Sequence, residues 1–285
     1  MTPELALPAP AKINLFLHVT GQRDDGYHLL ESVFVSITLA DTVTLTLRTD
    51  GVVRLLEPPD GLTETTDLAC RAARALRALS GTRFGVDIKL DKRIPQGAGL
   101  GGGSSDAATT LLGLNRLWKL ALSRQQLQDI AATLGADVPF FVFGRPAFVQ
   151  GIGEQLRAVT LPATHAVIAS PDAAVATSAV FSSPGLIRDT ATLTTPAFTL
   201  NFGRNDLQPV AATLAPDIGR LQQAFVDAGA TPKMTGSGSC VFALAHRWTE
   251  AAQLQATLTQ AGWRAWQVRT LARHPLYSLA DSATI

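Results

Sequence analysis

The chain has 285 residues, 46% of them hydrophobic and 16% charged, with a formal net charge of +1. That length suits one large or two modest domains with a sizeable core, and so small a net charge provides no general field for nucleic acid or an anionic membrane. Cys70 and Cys240 lie far apart, supply neither a disulfide framework nor metal-ligand spacing, and read as buried thiols in a reducing compartment.

Residues 1–10 hold no Lys or Arg and no long apolar run, unlike a signal peptide. No stretch approaches the roughly 20 apolar residues of a membrane span. The expectation is a cytoplasmic protein, monomer or homodimer, whose partners are small molecules and neither nucleic acid nor membrane. Pro3, Pro8 and Pro10 make the first ten residues an extended lead-in. From Ala11, alternation puts Ile13, Leu15, Leu17 and Val19 on one strand face and Lys12, Asn14, Phe16 and His18 on the other. Taken alone, a Lys at a strand start is an edge charge facing water.

Gly21 to Gly26 is a polar turn leading into Tyr27 and His28, an aromatic and an imidazole that suit either core packing or the holding of a nucleobase. Val33 to Leu39 and Val43 to Leu47 read as two strands about an Ala40-Asp41 turn. Leu68, Ala72, Leu76 and Leu79 mark a helix ending at Gly81, with Arg71, Arg74 and Arg77 on its solvated face. Val86, Ile88 and Leu90 form a strand that runs into Pro95, Gln96, Gly97, Ala98, Gly99, Leu100, Gly101, Gly102, Gly103, Ser104 and Ser105. Five glycines in the seven residues 97–103 let the backbone turn through positive φ and bring its N–H groups close to a ligand. Ser104, Ser105 and Asp106 offer N-cap oxygens to a helix carried by Leu111, Leu114, Leu117 and Trp118. Strand, glycine loop and helix N-terminus together make an anion site, and a polyphosphate is the expected ligand. Gly97, Gly99 and Gly102 fit the dinucleotide fingerprint, yet a second helix follows where that motif needs a second parallel strand. Ser104 stands where a phosphate-binding P-loop needs Lys, and the H-R-D and D-F-G signatures of protein kinases are absent.

Ser123 and Gln126 form a capping box for a helix with Leu127, Ile130, Ala131 and Leu134 on its buried stripe and Gly135 as its stop. Asp137, just before Val138-Pro139, is by itself a good N-cap for the next helical turn. The pattern breaks near residues 158–163, which divides the chain into residues 1–160 and 161–285. In the second part, residues 166–169 form a strand and residues 175–182, with Thr177 and Phe181, a short helix. Residues 184–196, rich in Thr and punctuated by Pro, read as a mobile loop. Asn205-Asp206-Leu207 opens a helical region, and Ile218, Leu221, Phe225 and Val226 form a further stripe. Residues 233–244 read as a hairpin with a tight glycine turn. A helix over 249–262 and a strand over 265–268 complete an α+β second domain.

Five blocks resemble the GHMP kinase superfamily: Pro10-Ala11-Lys12-Ile13-Asn14-Leu15, Arg23-Asp24-Asp25-Gly26-Tyr27-His28, Pro95 through Ser105, Leu134-Gly135-Ala136-Asp137-Val138-Pro139, and Thr235-Gly236-Ser237-Gly238-Ser239-Cys240-Val241-Phe242. The glycine loop specifies the superfamily, and the opening block with D-G-Y-H narrows it to the branch acting on a cytidylyl substrate. The resemblance implies an α+β two-domain fold, with a ribosomal-protein-like first domain, a ferredoxin-like second domain and the active site between them. It implies ATP as phosphate donor, with Mg²⁺ carried by the ATP, and transfer to the 2-hydroxyl of a cytidine-diphosphate-linked methylerythritol. Asp137 then becomes the base and Lys12 its partner, and the glycine loop Pro95–Ser105 holds the phosphates, Ser104 or Ser105 adding a hydroxyl. Tyr27 stacks on the cytosine, His28 bonds its edge, Phe181 with Thr177 closes the opposite face, and Asn14 contacts the methylerythritol hydroxyls. A mevalonate or homoserine kinase type has no base for Tyr27 to stack on. A non-catalytic nucleotide- or RNA-binding module has no use for Lys12 with Asp137.

Overall fold

The computed structural model describes residues 2–59, 61–193 and 199–280. The first half contains β1 (Glu4–Gln22), β2 (His28–Arg48), β3 (Val53–Leu56), α1 (Leu68–Ser80), β4 (Gly85–Asp91), α2 (Gly102–Leu117), α3 (Arg124–Ala132), α4 (Val138–Phe143), β5 (Ala147–Gln150) and β6 (Gln155–Ala158). The second contains β7 (His165–Ser170), α5 (Thr177–Phe181), α6 (Gln208–Leu214), α7 (Pro216–Asp227), β8 (Lys233–Met234), β9 (Val241–Ala245), α8 (Trp248–Gln260) and β10 (Arg264–Arg269). Among the described residues, the first-half strands form one sheet in the order β3-β4-β2-β5-β6, with β1 paired along β2. The second sheet, β10-β7-β9-β8, is antiparallel throughout.

Three apolar clusters hold these layers. Helices α1 to α4 cover one face of the first sheet through Ala72, Leu76, Leu111, Leu127 and Phe140 against Val43, Leu45 and Ile88. The opposite face packs on the second sheet, with Ile13, Leu15, Val35 and Ile37 meeting Ala166, Ile168, Phe242 and Val268. Helices α6, α7 and α8 then bury Val210, Leu221, Phe225 and Leu258 against Val167 and Val241. Removal of these side chains from water is the main stabilising term, each fully buried Leu, Ile or Phe contributing about 1.5–3 kcal/mol.

Several local expectations change in the folded chain. The lead-in is strand: residues 4–10 pair with β2 from Glu4↔Thr46 to Pro10↔Ala40, and its prolines are tolerated because an edge strand need not donate on both sides. No turn forms at Ala40-Asp41, where β2 runs unbroken for 21 residues. The fully buried Asp41 carboxylate instead accepts from the amides of Arg93 (2.6 Å) and Ile94 (2.8 Å) and from Lys92 Nζ. Helix α2 begins at Gly102 with Gly101 as an N-cap that has no side chain, so Ser104, Ser105 and Asp106 lie inside its first turns and do not cap it. Leu79 and Val226, expected on buried stripes, are exposed at the last turns of α1 and α7. The β8-β9 hairpin forms as expected, its glycine turn closed by Gly238 N donating to Thr235 O (3.1 Å) and backed by the glycine loop, where Gly99 lies against Thr235. The capping box of α3 forms as expected.

Residues 184–193 carry no helix or strand, yet they are pinned. Thr190 N donates to Val19 O (3.1 Å) and Thr190 Oγ1 to Asp206 (2.7 Å), and Leu193 N donates to Glu31 Oε2 (2.9 Å). Residues 194–196 of the expected mobile loop lie outside the described residues.

Candidate active site

A cavity of about 1130 Å³ opens between the glycine loop, the Tyr27-His28 turn and α5, and both Lys12 and Asp137 line it. Strand alternation places Lys12 and Asn14 on the face opposite the inter-sheet core. Lys12 is only 3% exposed, so its ammonium needs partners in place of water. Its Nζ donates to Asn14 Oδ1 (2.7 Å), lies 3.4 Å from Asp137 Oδ2 and sits 4.7 Å above the Phe34 ring. Asp137 precedes α4 with φ −85° and ψ −17°, helical values unlike the extended backbone of a capping residue, and makes no capping hydrogen bond. The capping reading of Asp137 therefore fails: its carboxylate is directed to Lys12 and stays 30% exposed to the cavity.

The glycine loop is held through its middle. Lys12 N donates to Leu100 O (2.9 Å), and Cys240 N to Ala98 O (3.2 Å). At Gly99 (φ +76°) a Cβ would lie 2.1 Å from Thr235 O, and at Gly101 (φ +70°) it would press on the Phe141 ring at 3.1 Å. Only glycine suits both the backbone angle and this approach. The first helical amide bond of α2 runs from Ser105 N to Gly101 O (2.9 Å), so the amides of Gly102, Gly103 and Ser104 have no intrahelical acceptor. With the helix dipole behind them, they suit an anion.

Not every residue of the loop faces the ligand space. Leu100 is in the inter-sheet core, and Ser105 is turned away, its hydroxyl donating to Pro10 O (2.7 Å) in a fully buried position. That geometry corrects the expectation of a Ser105 hydroxyl for phosphate and leaves Ser104, which lines the cavity. Pro95, Gln96, Gly97, Ala98, Gly99, Gly101, Gly102 and Gly103 line it as well. Asn14 is more heavily engaged than expected: Oδ1 accepts from Lys12 and Thr235, and Nδ2 donates to Ser32 (3.0 Å).

At the far end, Tyr27 is 59% exposed, which excludes it from the core. The His28 and Phe181 rings lie 4.9 Å apart at 35°, and Thr177 Oγ1 is 2.8 Å from Ser237 Oγ. All four of these expected residues line the cavity.

Sequence reading passes over Lys92 and gives Asp41 and Asp106, its two partners beside the loop, other roles. Lys92 Nζ bridges the carboxylates of Asp41 and Asp106, tying the strand that enters the loop to the helix that leaves it. Burial pushes the Asp106 carboxyl up to about 7, against the pull of Lys92, with Asp41 adding to the rise. Burial opposes the charge on Lys92, but Asp106 and Asp41 outweigh it and raise its pKa. The available signal was an Asp in the middle of an apolar strand. Residue type alone points to a turn there, because Asp favours turns.

Two family profiles match the chain: the GHMP kinases N terminal domain over residues 67–145 and the GHMP kinases C terminal domain over residues 195–264. The chain belongs to the GHMP kinases. Members of this family use ATP as phosphate donor. The 4-diphosphocytidyl-2-C-methyl-D-erythritol kinase of Azoarcus sp. is 47% identical over 96% of this chain and 96% of its own length. Its counterpart in Bordetella bronchiseptica is 50% identical over 98% of this chain and 94% of its own. A crystal structure of 4-(cytidine 5'-diphospho)-2C-methyl-D-erythritol kinase superposes with a TM-score of 0.81 at 36% identity, covering 93% of this chain and 99% of that one. Homoserine kinase from Cytophaga hutchinsonii, with a TM-score of 0.71 at 18% identity over 96% of each chain, shares the fold. Among the described residues of this GHMP kinase, no helix is long and apolar enough to cross a membrane.

Proposed function

We propose that the chain transfers the γ-phosphoryl group of ATP to the 2-hydroxyl of 4-diphosphocytidyl-2-C-methyl-D-erythritol, a step of the non-mevalonate route to isoprenoid precursors. The observation that carries this reading is the Lys12–Asp137 pair, 3.4 Å apart, in the same cavity as the open amides of α2 and the Tyr27-His28 wall. Near-full-length relatives named for this activity support the choice of substrate.

The chemistry follows from these residues. An alcohol attacks phosphorus poorly while it keeps its proton, so Asp137 accepts that proton as the new O–P bond forms and the bond to the ADP oxygen breaks. Lys12, 3.4 Å from that carboxylate, holds it in place and offsets negative charge at the reacting centre. Phosphoryl transfer otherwise needs mainly positioning and charge stabilisation. The amides of Gly102, Gly103 and Ser104 bind the phosphates, and Gly97 and Gly99 let the backbone approach them. A Mg²⁺ carried by the ATP would supply neutralisation of phosphate charge. Ser104 on the wall and the buried Asp106 Oδ1, which has no hydrogen-bond partner among the described residues, suit its hydration shell.

Tyr27 stacks on the cytosine and Phe181 closes the other side with His28. The test is ³¹P NMR of ATP with the protein and, separately, the cytidylyl alcohol, mevalonate or homoserine. The expected result is a new phosphomonoester signal with ADP only for the cytidylyl alcohol. Transfer to mevalonate or homoserine instead would overturn the assignment.

A further inference from the structure

Arg188 stands outside every motif in the sequence, yet its guanidinium is the most heavily committed group near the base end of the cavity. Its Nε donates to His28 Nε2 (2.9 Å), Nη1 to Leu186 O (3.0 Å), and Nη2 to both Phe181 O and Ser183 O (2.9 Å each). One planar fork thus joins the first-half turn that carries His28 to the C-terminal end of α5, which carries Phe181. The two rings it joins are the pair 4.9 Å apart.

This contact has a chemical consequence for His28. A guanidinium only donates, so Nε2 must present its lone pair, and the neutral ring then carries its proton on Nδ1. Burial and then the charge of Arg188 both hold the His28 pKa below its ordinary value, which keeps the ring neutral. With Nε2 occupied, Nδ1–H is the group left for a ligand in the cavity that His28 lines.

We propose that Arg188 is a positioning residue for base selection: by holding His28 as an Nδ1–H donor against Phe181, it sets the site to accept cytosine over uracil. The inference rests on the cytidylyl reading above. Cytosine presents a lone pair at N3, whereas uracil carries a proton there. A single fixed donor facing that position therefore gains a hydrogen bond from one base and meets a second donor in the other.

The full chain tests this by calorimetric titration with CMP and UMP, together with long-range ¹H–¹⁵N spectra of the His28 ring. The wild type should prefer CMP by about tenfold, the worth of one hydrogen bond, and show Nδ1 protonated. Arg188→Met should bring the preference below about twofold and shift the ring toward the Nε2–H form, with ATP affinity unchanged. Arg188→Lys keeps the charge but cannot serve His28 and three carbonyls at once, so it should fall between the two and guards against a folding defect. A Met variant that retains both the CMP preference and the wild-type ring spectrum overturns the role of Arg188 alone. A wild type that binds neither nucleotide and phosphorylates a different alcohol overturns the substrate reading, and this inference with it.

Discussion

The two ends of the cavity are built in different ways. At the phosphate end, one continuous stretch from Ile94 to Ser104 supplies backbone amides, and buried neighbours leave it little room to move: Gly99 lies against Thr235, Gly101 against Phe141, and Lys12 is only 3% exposed. At the base end, Tyr27 is 59% exposed, and the His28–Phe181 pair joins residues 153 positions apart through Arg188. A phosphate is the same in every nucleotide, so a rigid backbone site serves it. A base must be told from other bases, and that needs side chains whose orientation is set from elsewhere. In the proposed reaction, the common part is encoded locally and the selective part by long-range contacts.

The largest expected effect tests the reacting centre between these ends. Asp137→Asn should lower kcat by roughly 10² to 10⁴ while the KM for ATP holds, measured by coupled ADP release. A rate close to wild type would remove the proton-accepting role. Gly99→Ala challenges the rigidity of the phosphate end: a methyl group directed at Thr235 O from a positive-φ position should destabilise the fold by roughly 2–4 kcal/mol. Its thermal midpoint and ATP affinity should fall together, and retention of both would show that the loop yields.

Tyr27→Ala addresses the base end. Loss of stacking should weaken the cytidylyl substrate by roughly 1–3 kcal/mol without lowering the thermal midpoint, because the ring is exposed. A lower midpoint with unchanged affinity would point to packing instead. The last test concerns the charges behind the phosphate loop and is read through stability alone. Asp106 is raised to about 7 from the ordinary 3.8, so between these values the folded chain keeps a proton that the unfolded chain has lost. Stability should therefore decline as pH rises from about 4 to about 7, and Asp106→Asn should flatten that slope in a series of thermal melts. An identical slope in the variant would assign it to other groups.

The strand, glycine loop and helix order around residues 86–117 was legible because alternation, glycine content and helical spacing are local signals. Only the motif blocks single out Lys12 and Asp137 as candidates. Each residue taken alone suggested an edge charge or a helix cap, and their 3.4 Å approach is a property of the packed molecule. Asp41 misled for the same reason. Its type favours a turn, but the amides of Arg93 and Ile94 and the ammonium of Lys92, more than 50 positions away, satisfy it inside a strand. Leu79 and Val226 continue their helical stripes in sequence but emerge at helix ends, where no neighbour covers them.

By itself the order of residues determined what each segment can do: which runs extend, which coil, and where glycine frees amides for an anion. Tertiary structure alone decided which groups meet, turning Ser105 into a tie to Pro10, Asp106 into a partner of Lys92, and Arg188 into the brace for His28. The physical reason is that backbone conformation depends on near neighbours. Satisfaction of a buried polar group depends instead on whatever the fold brings within about 3 Å of it.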